Sequence, residues 1–173
     1  MTAAITLRPL TDADIEAHNA GEDDEVIRWL SGRASTVEST RRHIATLAAN
    51  AEAIHRKRGW GIWWDERLAG YIDADPESTE VPAPGDVNIA YSVHPWARRQ
   101  GVASAAVQAV CRRLEDEHVG RRTIIRADRR NAASIAVALH CSFAPVGEAP
   151  SPEERDENGR PVVYRVFARD LNG

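Results

Sequence analysis

The chain has 173 residues, 43% hydrophobic and 28% charged, the balance of a globular protein long enough to bury a core without disulfides or metal. Its formal net charge of −4 and pI near 5.9 argue against a nucleic-acid binder and favour a cationic partner. No window approaches the roughly 18 apolar residues of a membrane span, and MTAAITLRPL contains no apolar leader region, so a cytoplasmic protein with no membrane partner is expected.

In chain order, ITLRPL reads as a short strand closed by Pro9. TDADIEAHNAG then opens a helix, with Thr11 and Asp14 at capping-box spacing and Gly21 as its stop. EDDEVIRWLSG reads as a further helical turn or two ending at Gly32. Ser35 and Glu38 repeat the capping spacing before a longer helix through Ile44, Leu47, Ala48, Ala51 and Ile54, which recur at three and four. GWGIWWDERLAGYIDAD is a hairpin around a polar DER turn, and PESTEVPAPG, with its three prolines, is a loop.

VNIAYSV alternates, with Val87, Ile89, Tyr91 and Val93 on one face and Asn88, Ala90 and Ser92 on the other. The helix after it buries Val102, Ala106, Val110 and Leu114, each four apart. TIIRAD is a strand, and Asn131 caps a helix containing Ile135, Val137, Ala138 and Leu139. FAPVG and VVYRVFA are the last strands, joined by the turn-rich SPEERDENGRP. Strand, helix, strand from Val87 to Asp128 makes a βαβ crossover and hence a parallel pair. The expected fold is one α/β domain over residues 1–173, with a mixed, twisted sheet of six or seven strands flanked by helices. Cys111 and Cys141 match no metal-ligand spacing and read as buried thiols.

The junction VHPWARRQGVASAAV, Val93 to Val107, is where the chain invites chemistry. A strand that turns directly into a helix leaves the first helical N–H groups without internal partners, at the positive end of the helix dipole. Gly101 lets backbone approach an anion, Ala103 keeps the first turn slim, and Arg98 and Arg99 add charge. The bland alternative is a solvated turn with surface arginines. Neither G-x-x-x-x-G-K-[ST] nor G-x-G-x-x-G is present.

VHPWARRQGVA resembles the motif V-x-P-x-x-R-x-x-G-x-G/A of the GNAT superfamily of acyl-CoA-dependent N-acetyltransferases. NAASIAVALHCSF resembles that family's downstream N-x-x-S motif, with Asn131, Ser134 and Phe143 at the expected intervals. ENGRPVVYRVFARDL is similar to its last strands, so the resemblance covers nearly the whole chain. More narrowly, LRPLTDADI and VIRWLSG resemble the branch holding ribosomal-protein alanine and aminoglycoside 6′-acetyltransferases.

The resemblance implies acetyl-CoA as co-substrate, with no metal. Backbone of Arg98, Arg99, Gln100, Gly101, Val102, Ala103 and Ser104 would clasp its pyrophosphate. Val93 backbone would pair with the pantetheine arm and donate to the developing oxyanion. Asn131 and Ser134 would bind from the far side, while Arg129 or Arg130 would meet the 3′-phosphate or simply face solvent.

The chain also departs from the family. The strand position that commonly carries a glutamate base is Asn88, leaving Asp86, on the same strand face, as a candidate base acting through water. The helix tyrosine that serves as acid is replaced by Ala138, leaving Ser134 or the sequence-distant Tyr164, and the glycine before Phe143 is Ser142.

The implied reaction is acetyl transfer to a primary amine by direct attack in a ternary complex. The acceptor is a small-molecule amine or a protein N-terminus, a polyamine or an aminoglycoside among them. The acidic GEDDE, Gly21 to Glu25, would attract such a cation or form a solvated face. Of five tryptophans, most belong in the core and one or two in the cleft. The alternative function is a non-catalytic acyl-CoA-binding domain on the same scaffold. Paired arginines recur without an aromatic-basic motif, so no nucleic-acid partner is expected. Exposed sheet edges allow a homodimer.

Overall fold

Period-two apolar runs separated by short turns build the sheet, and the tightest of those turns sits at Asp65 and Glu66. Both residues have positive φ, 49° and 60°, the twist that a two-residue hairpin needs. In the computed structural model, which describes residues 4–171, the strands are β1 (Ile5–Arg8), β2 (Arg58–Trp64), β3 (Arg67–Asp75), β4 (Asp86–Val93), β5 (Arg122–Asp128), β6 (Ala144–Arg155) and β7 (Pro161–Asp170). They form one sheet in the order β1-β2-β3-β4-β5-β7-β6. Every neighbouring pair is antiparallel except β4 and β5, which are parallel and joined by a helical crossover, a connection that is right-handed as a rule.

The helices are α1 (Ile15–Ala20), α2 (Asp24–Val26) continuing into a π-helical turn over Ile27–Ser31, α3 (Val37–Asn50), α4 (Val102–Asp116) and α5 (Ala132–His140). One sheet face carries α4 and α5. There Val102, Ala106, Val110 and Leu114, the predicted stripe, are buried against Trp60, Ile62, Ile72 and Ile89. The other face carries α1 and α3, whose Ile15, Ile44 and Leu47 pack on Leu68 and Tyr71. Among the described residues no helix is long and apolar enough to cross a membrane.

Several expectations shift by a residue or more. The Thr11–Asp14 pair forms as predicted, with the Asp14 carboxylate accepting from Thr11 N–H at 2.8 Å and Oγ1 at 2.9 Å. The α3 cap is instead Thr36 with Ser39, because Ser35 is bound to the Glu22 carboxylate through both its N–H and its hydroxyl. Helix α3 stops at Asn50, whose side-chain amide donates to Lys57 O, so Ala51 and Ile54 lie beyond it. Strand β6 runs on through Arg155 despite three prolines, which is tolerated because β6 is an edge strand and lacks a partner on one side.

Asp86, the candidate base, is placed elsewhere by the fold. It starts β4, seven residues and roughly 23 Å before Val93. Its carboxylate accepts both Arg122 side-chain bonds, at 2.9 and 2.7 Å, and the Ala83 N–H. With no exposed surface on its side chain, it ties β4 to β5 and is not available to an amine. Asp86→Ala leaves that guanidinium without its partner. We expect a loss of about 3 kcal/mol in urea unfolding, the lower end for a broken buried pair because Arg122 keeps some contact with water. The folded fraction should turn over substrate normally.

Candidate active site

The site begins where two parallel strands part. β4 and β5 pair only at Asp86–Arg122, Val87–Thr123 and Asn88–Ile124. Beyond that, β4 stays with β3 up to Val93, and β5 stays with β7 up to Asp128. A wedge therefore opens between the C-terminal halves of β4 and β5. His94 N–H donates to Ala69 O on the β3 side at 2.8 Å. Because successive strand N–H groups point to opposite edges, Val93 N–H points into the wedge.

At the mouth of the wedge the chain makes one 3-10 turn, Pro95–Ala97, and enters α4. The N-cap is Gly101 at φ 77°, a left-handed conformation that costs a side-chain-bearing residue about 1 kcal/mol or more. Arg99 is left-handed as well, at φ 59°. Gly101 has no side chain with which to cap, whereas Thr36 caps α3 and Asn131 caps α5. The N–H groups of Val102, Ala103 and Ser104 thus keep their capacity for an anion. These residues fit a diphosphate: no side chain fills the cradle, and the helix dipole favours negative charge there.

The far wall is α5. Asn131 Oδ1 accepts the Ser134 N–H at 3.1 Å, which commits its oxygen to the cap and leaves its NH2 group for a ligand. Ser134 Oγ lies 2.9 Å from the hydroxyl of Tyr91, which reaches it from β4. Burial pushes the Tyr91 phenol up to about 12, so it holds its proton at neutral pH. Sequence reading counted Tyr91 as an apolar strand position. Only the folding of β4 under α5 turns it into a polar partner of Ser134, while Ala138, where the family has its tyrosine, is fully buried.

The side chain of Arg98 does not serve the anion cradle. Its Nε donates to Val93 O at 3.1 Å, and its terminal nitrogens bind Asp23 at 2.7 Å and Glu25 at 2.8 Å. Two carboxylates of the acidic run are therefore occupied, and a third, Glu22, holds Ser35. The expectation that this run draws in a cationic acceptor is replaced by a clamp that fastens α2 to the end of β4. Asp128 similarly binds its neighbour Arg130 through two nitrogens.

A cleft of about 380 Å³ opens beside the end of β5, on the sheet face opposite α4. Arg28, Trp29 and Leu30 of the π-helical turn form one wall, and Asp128, Arg130 and Tyr164 another. The β6–β7 hairpin adds Glu154, Asp156 and Glu157. Tyr164 is hydrogen-bonded to Glu154, so it faces this cleft and not α5. Trp29 is the tryptophan of the cleft; Trp60 is core, and Trp64 and Trp96 stack with ring centroids 5.6 Å apart. A larger depression of about 490 Å³ lies by Ile5, Leu7 and Arg112, along β1 and the C-terminal half of α4, away from the wedge.

Asp23 gives the clamp a pH signature. Its carboxyl is held from the ordinary 3.8 down to about 2, first by the Arg98 hydrogen bonds. A depressed carboxyl stabilises the fold above its unfolded value and loses that contribution as pH falls through the folded one. Arg98→Met should flatten the decline of the denaturation midpoint between pH 3.8 and about 2, read by urea titration at stepped pH. An unchanged slope would show that the clamp carries no stability.

The acetyltransferase (GNAT) domain family matches residues 4–144. No curated protein matches the chain in sequence. Among solved structures it is similar to the Salmonella typhimurium acetyltransferase that modifies the N-terminal serine of ribosomal protein L7/L12, at 20% identity, 99% of this chain and 97% of that one, TM-score 0.79. It is similar to Mycobacterium smegmatis RimJ in complex with CoA-disulfide, at 20% identity, 97% and 82% coverage, TM-score 0.80. It is also similar to the microcin C7 self-immunity acetyltransferase MccE in complex with acetyl-CoA and AMP, at 16% identity, 96% and 92% coverage, TM-score 0.80. At such identities the likeness is one of fold. The family match over most of the sequence, on a sheet that parts beside an uncapped helix, means that the chain belongs to the GNAT acetyltransferases.

Proposed function

We propose that the chain moves the acetyl group of acetyl-CoA onto a primary amine by direct attack, with a protein N-terminus as acceptor. The observation that carries the reading is the wedge: Val93 N–H directed into it, with the side-chain-free cap of α4 at its mouth. Backbone from Arg99 to Ser104 would hold the pyrophosphate, and Val93 N–H would stabilise the oxyanion as the thioester carbonyl becomes tetrahedral. Ser134, bonded to Tyr91, would hand a proton to the departing thiolate. Asn131 would contribute its NH2 group to the same ligand.

Two features favour a chain end as acceptor. The cleft is open along the π-helical turn and the β6–β7 hairpin, with the Glu157 carboxylate for an ammonium and the Arg28 guanidinium for carbonyls or acidic side chains. The Salmonella typhimurium and Mycobacterium smegmatis proteins of the same fold are, respectively, a ribosomal-protein N-terminal acetyltransferase and RimJ. A cytoplasmic location fits the two free, buried thiols, Cys111 and Cys141.

Gly101→Val should weaken acetyl-CoA binding by about tenfold or more in calorimetry, because a β-branched residue resists positive φ and obstructs the cradle. Ser134→Ala should lower kcat about 100-fold, the low end for lost acid catalysis, with the KM for acetyl-CoA nearly unchanged. Thiol release across peptides, polyamines and aminoglycosides tests the acceptor. Binding of acetyl-CoA with no release on any amine would leave the non-catalytic alternative.

A further inference from the structure

With Asn88 at the strand position where a carboxylate is expected and Asp86 locked to Arg122, the amine has no evident proton acceptor on β4. The neighbouring strand has one. Asp73 on β3 sits opposite Ala90, on the face that α1 and α3 cover and on which Asn88 and Ser92 also lie. It is 3% exposed. Its Oδ2 accepts the Tyr71 hydroxyl at 3.0 Å and pairs with Lys57 Nζ at 3.1 Å. Its Oδ1 is buried without a partner, and so is Oδ1 of Asn88.

Asp73 and Asn88 are diagonal neighbours across the strand pair, with backbones about 7–8 Å apart. Two orphaned acceptors at that spacing call for one donor with two hydrogens. We propose that Asp73 accepts the proton of the acceptor ammonium through a water held between Asp73 Oδ1 and Asn88 Oδ1. This rests on the acetyl-transfer reading above. Donating one hydrogen to each oxygen, the water would keep its lone pairs for the ammonium. Asn88 orients the water without competing for the proton, which gives the amide a purpose where the family has an acid. Ala90 is three residues, roughly 10 Å, before Val93, a span that the thioester carbon, the amine and one water fill.

The step balances. The ammonium gives one proton to the water, which passes one to Asp73. The freed nitrogen lone pair attacks the thioester carbon and forms the C–N bond. The C–S bond breaks, the thiolate takes a proton from Ser134, and Ser134 regains one from the acetylated nitrogen. The proton on Asp73 leaves to solvent, so an ammonium and acetyl-CoA give an amide, free CoA and one released proton.

The surroundings of Asp73 suit this task. Burial raises its carboxyl, opposed by Lys57 and the Tyr71 hydrogen bond and reinforced by Asp75. Because the Tyr71 hydroxyl spends its hydrogen on Asp73, it accepts from His43 Nε2 at 2.9 Å, which fixes the proton of that neutral imidazole on Nε2. Burial lowers His43 and His18, the histidines of α3 and α1 beside Tyr71. Across the wedge, Arg126 of β5 is committed to Glu80, and Asp75 accepts the Glu77 N–H.

The test is the pH dependence of kcat/KM on an amine that the wild-type protein acetylates. Asp73→Asn should cost about 100-fold at neutral pH, recover as pH rises toward the free amine's own pKa, and leave acetyl-CoA affinity unchanged. Asp73→Asn/Asn88→Asp should regain at least tenfold, since the second substitution restores a carboxylate on the same water. Asp75→Asn, which removes a neighbouring charge that raises Asp73, should move the acid limb to lower pH without abolishing it. Asn88→Asp alone keeps the Asp73 network and should move the acid limb to higher pH, because two neighbouring carboxylates resist sharing charge. This variant decides the matter if Asp73→Asn does not fold. A wild-type profile in Asp73→Asn, an unmoved limb in Asn88→Asp, or a limb lost in Asp75→Asn instead would overturn the assignment while leaving acetyl transfer intact. Absence of transfer by the wild-type protein would overturn the reading beneath it.

Discussion

The parting of β4 from β5 after three paired residues is the constraint on which the site depends. A parallel strand pair that stayed closed would spend Val93 N–H on a neighbouring carbonyl and bury the start of α4 against a continuous sheet. Each strand instead remains paired to its outer neighbour, β4 to β3 and β5 to β7, and sheet twist carries the two halves apart. Backbone polarity that a sheet would ordinarily satisfy internally is left for a ligand. The same opening brings Tyr91 beneath α5, where its hydroxyl meets Ser134.

Much of the charge in the chain is spent holding that opening in shape. Arg122 and Asp86 lock the closed end of the wedge, and Arg98 with Asp23 and Glu25 braces the open end. Arg126 with Glu80 and Arg130 with Asp128 act along β5. These arginines satisfy carboxylates within the fold, which is why repeated Arg-Arg pairs coexist with a net charge of −4 and no basic face need form. Exposed ion pairs add little, typically about 0–1 kcal/mol, so the partly buried clamps at the two ends of the wedge matter most.

The two sheet faces divide the labour. Apolar packing dominates under α4 and α5, where the stripe Val102, Ala106, Val110, Leu114 anchors α4 in place. Under α1 and α3 the core is partly polar, with His43, Tyr71, Asp73 and Lys57 linked in one hydrogen-bonded chain. Buried polar groups are costly unless satisfied, and most of this chain is. On this face the buried polar atoms without a partner include Asp73 Oδ1, Asn88 Oδ1, His18 Nδ1 and Trp63 Nε1, and the cleft beside β5 opens onto the same face.

Periodicity alone determined the elements: the alternation of β4, the four-residue stripe of α4, the hairpin at Asp65–Glu66 and the caps Thr11 and Asn131 are local signals, set by chain geometry within a few residues. The glycine at position 101 and the motif around it marked the uncapped start of α4 for the same reason, since that start is a local property. Tertiary structure decided which charges are free. Arg98 and Glu25 lie far apart in sequence, as do Asp86 and Arg122, and no spacing rule links such partners. Hence the acidic run read as a lure for cations or a solvated face and Asp86 as a base, although both supply struts. Tyr91 and Asp73 went unnoticed because strand alternation assigns a residue to a face but does not say what the opposite layer will bring against it.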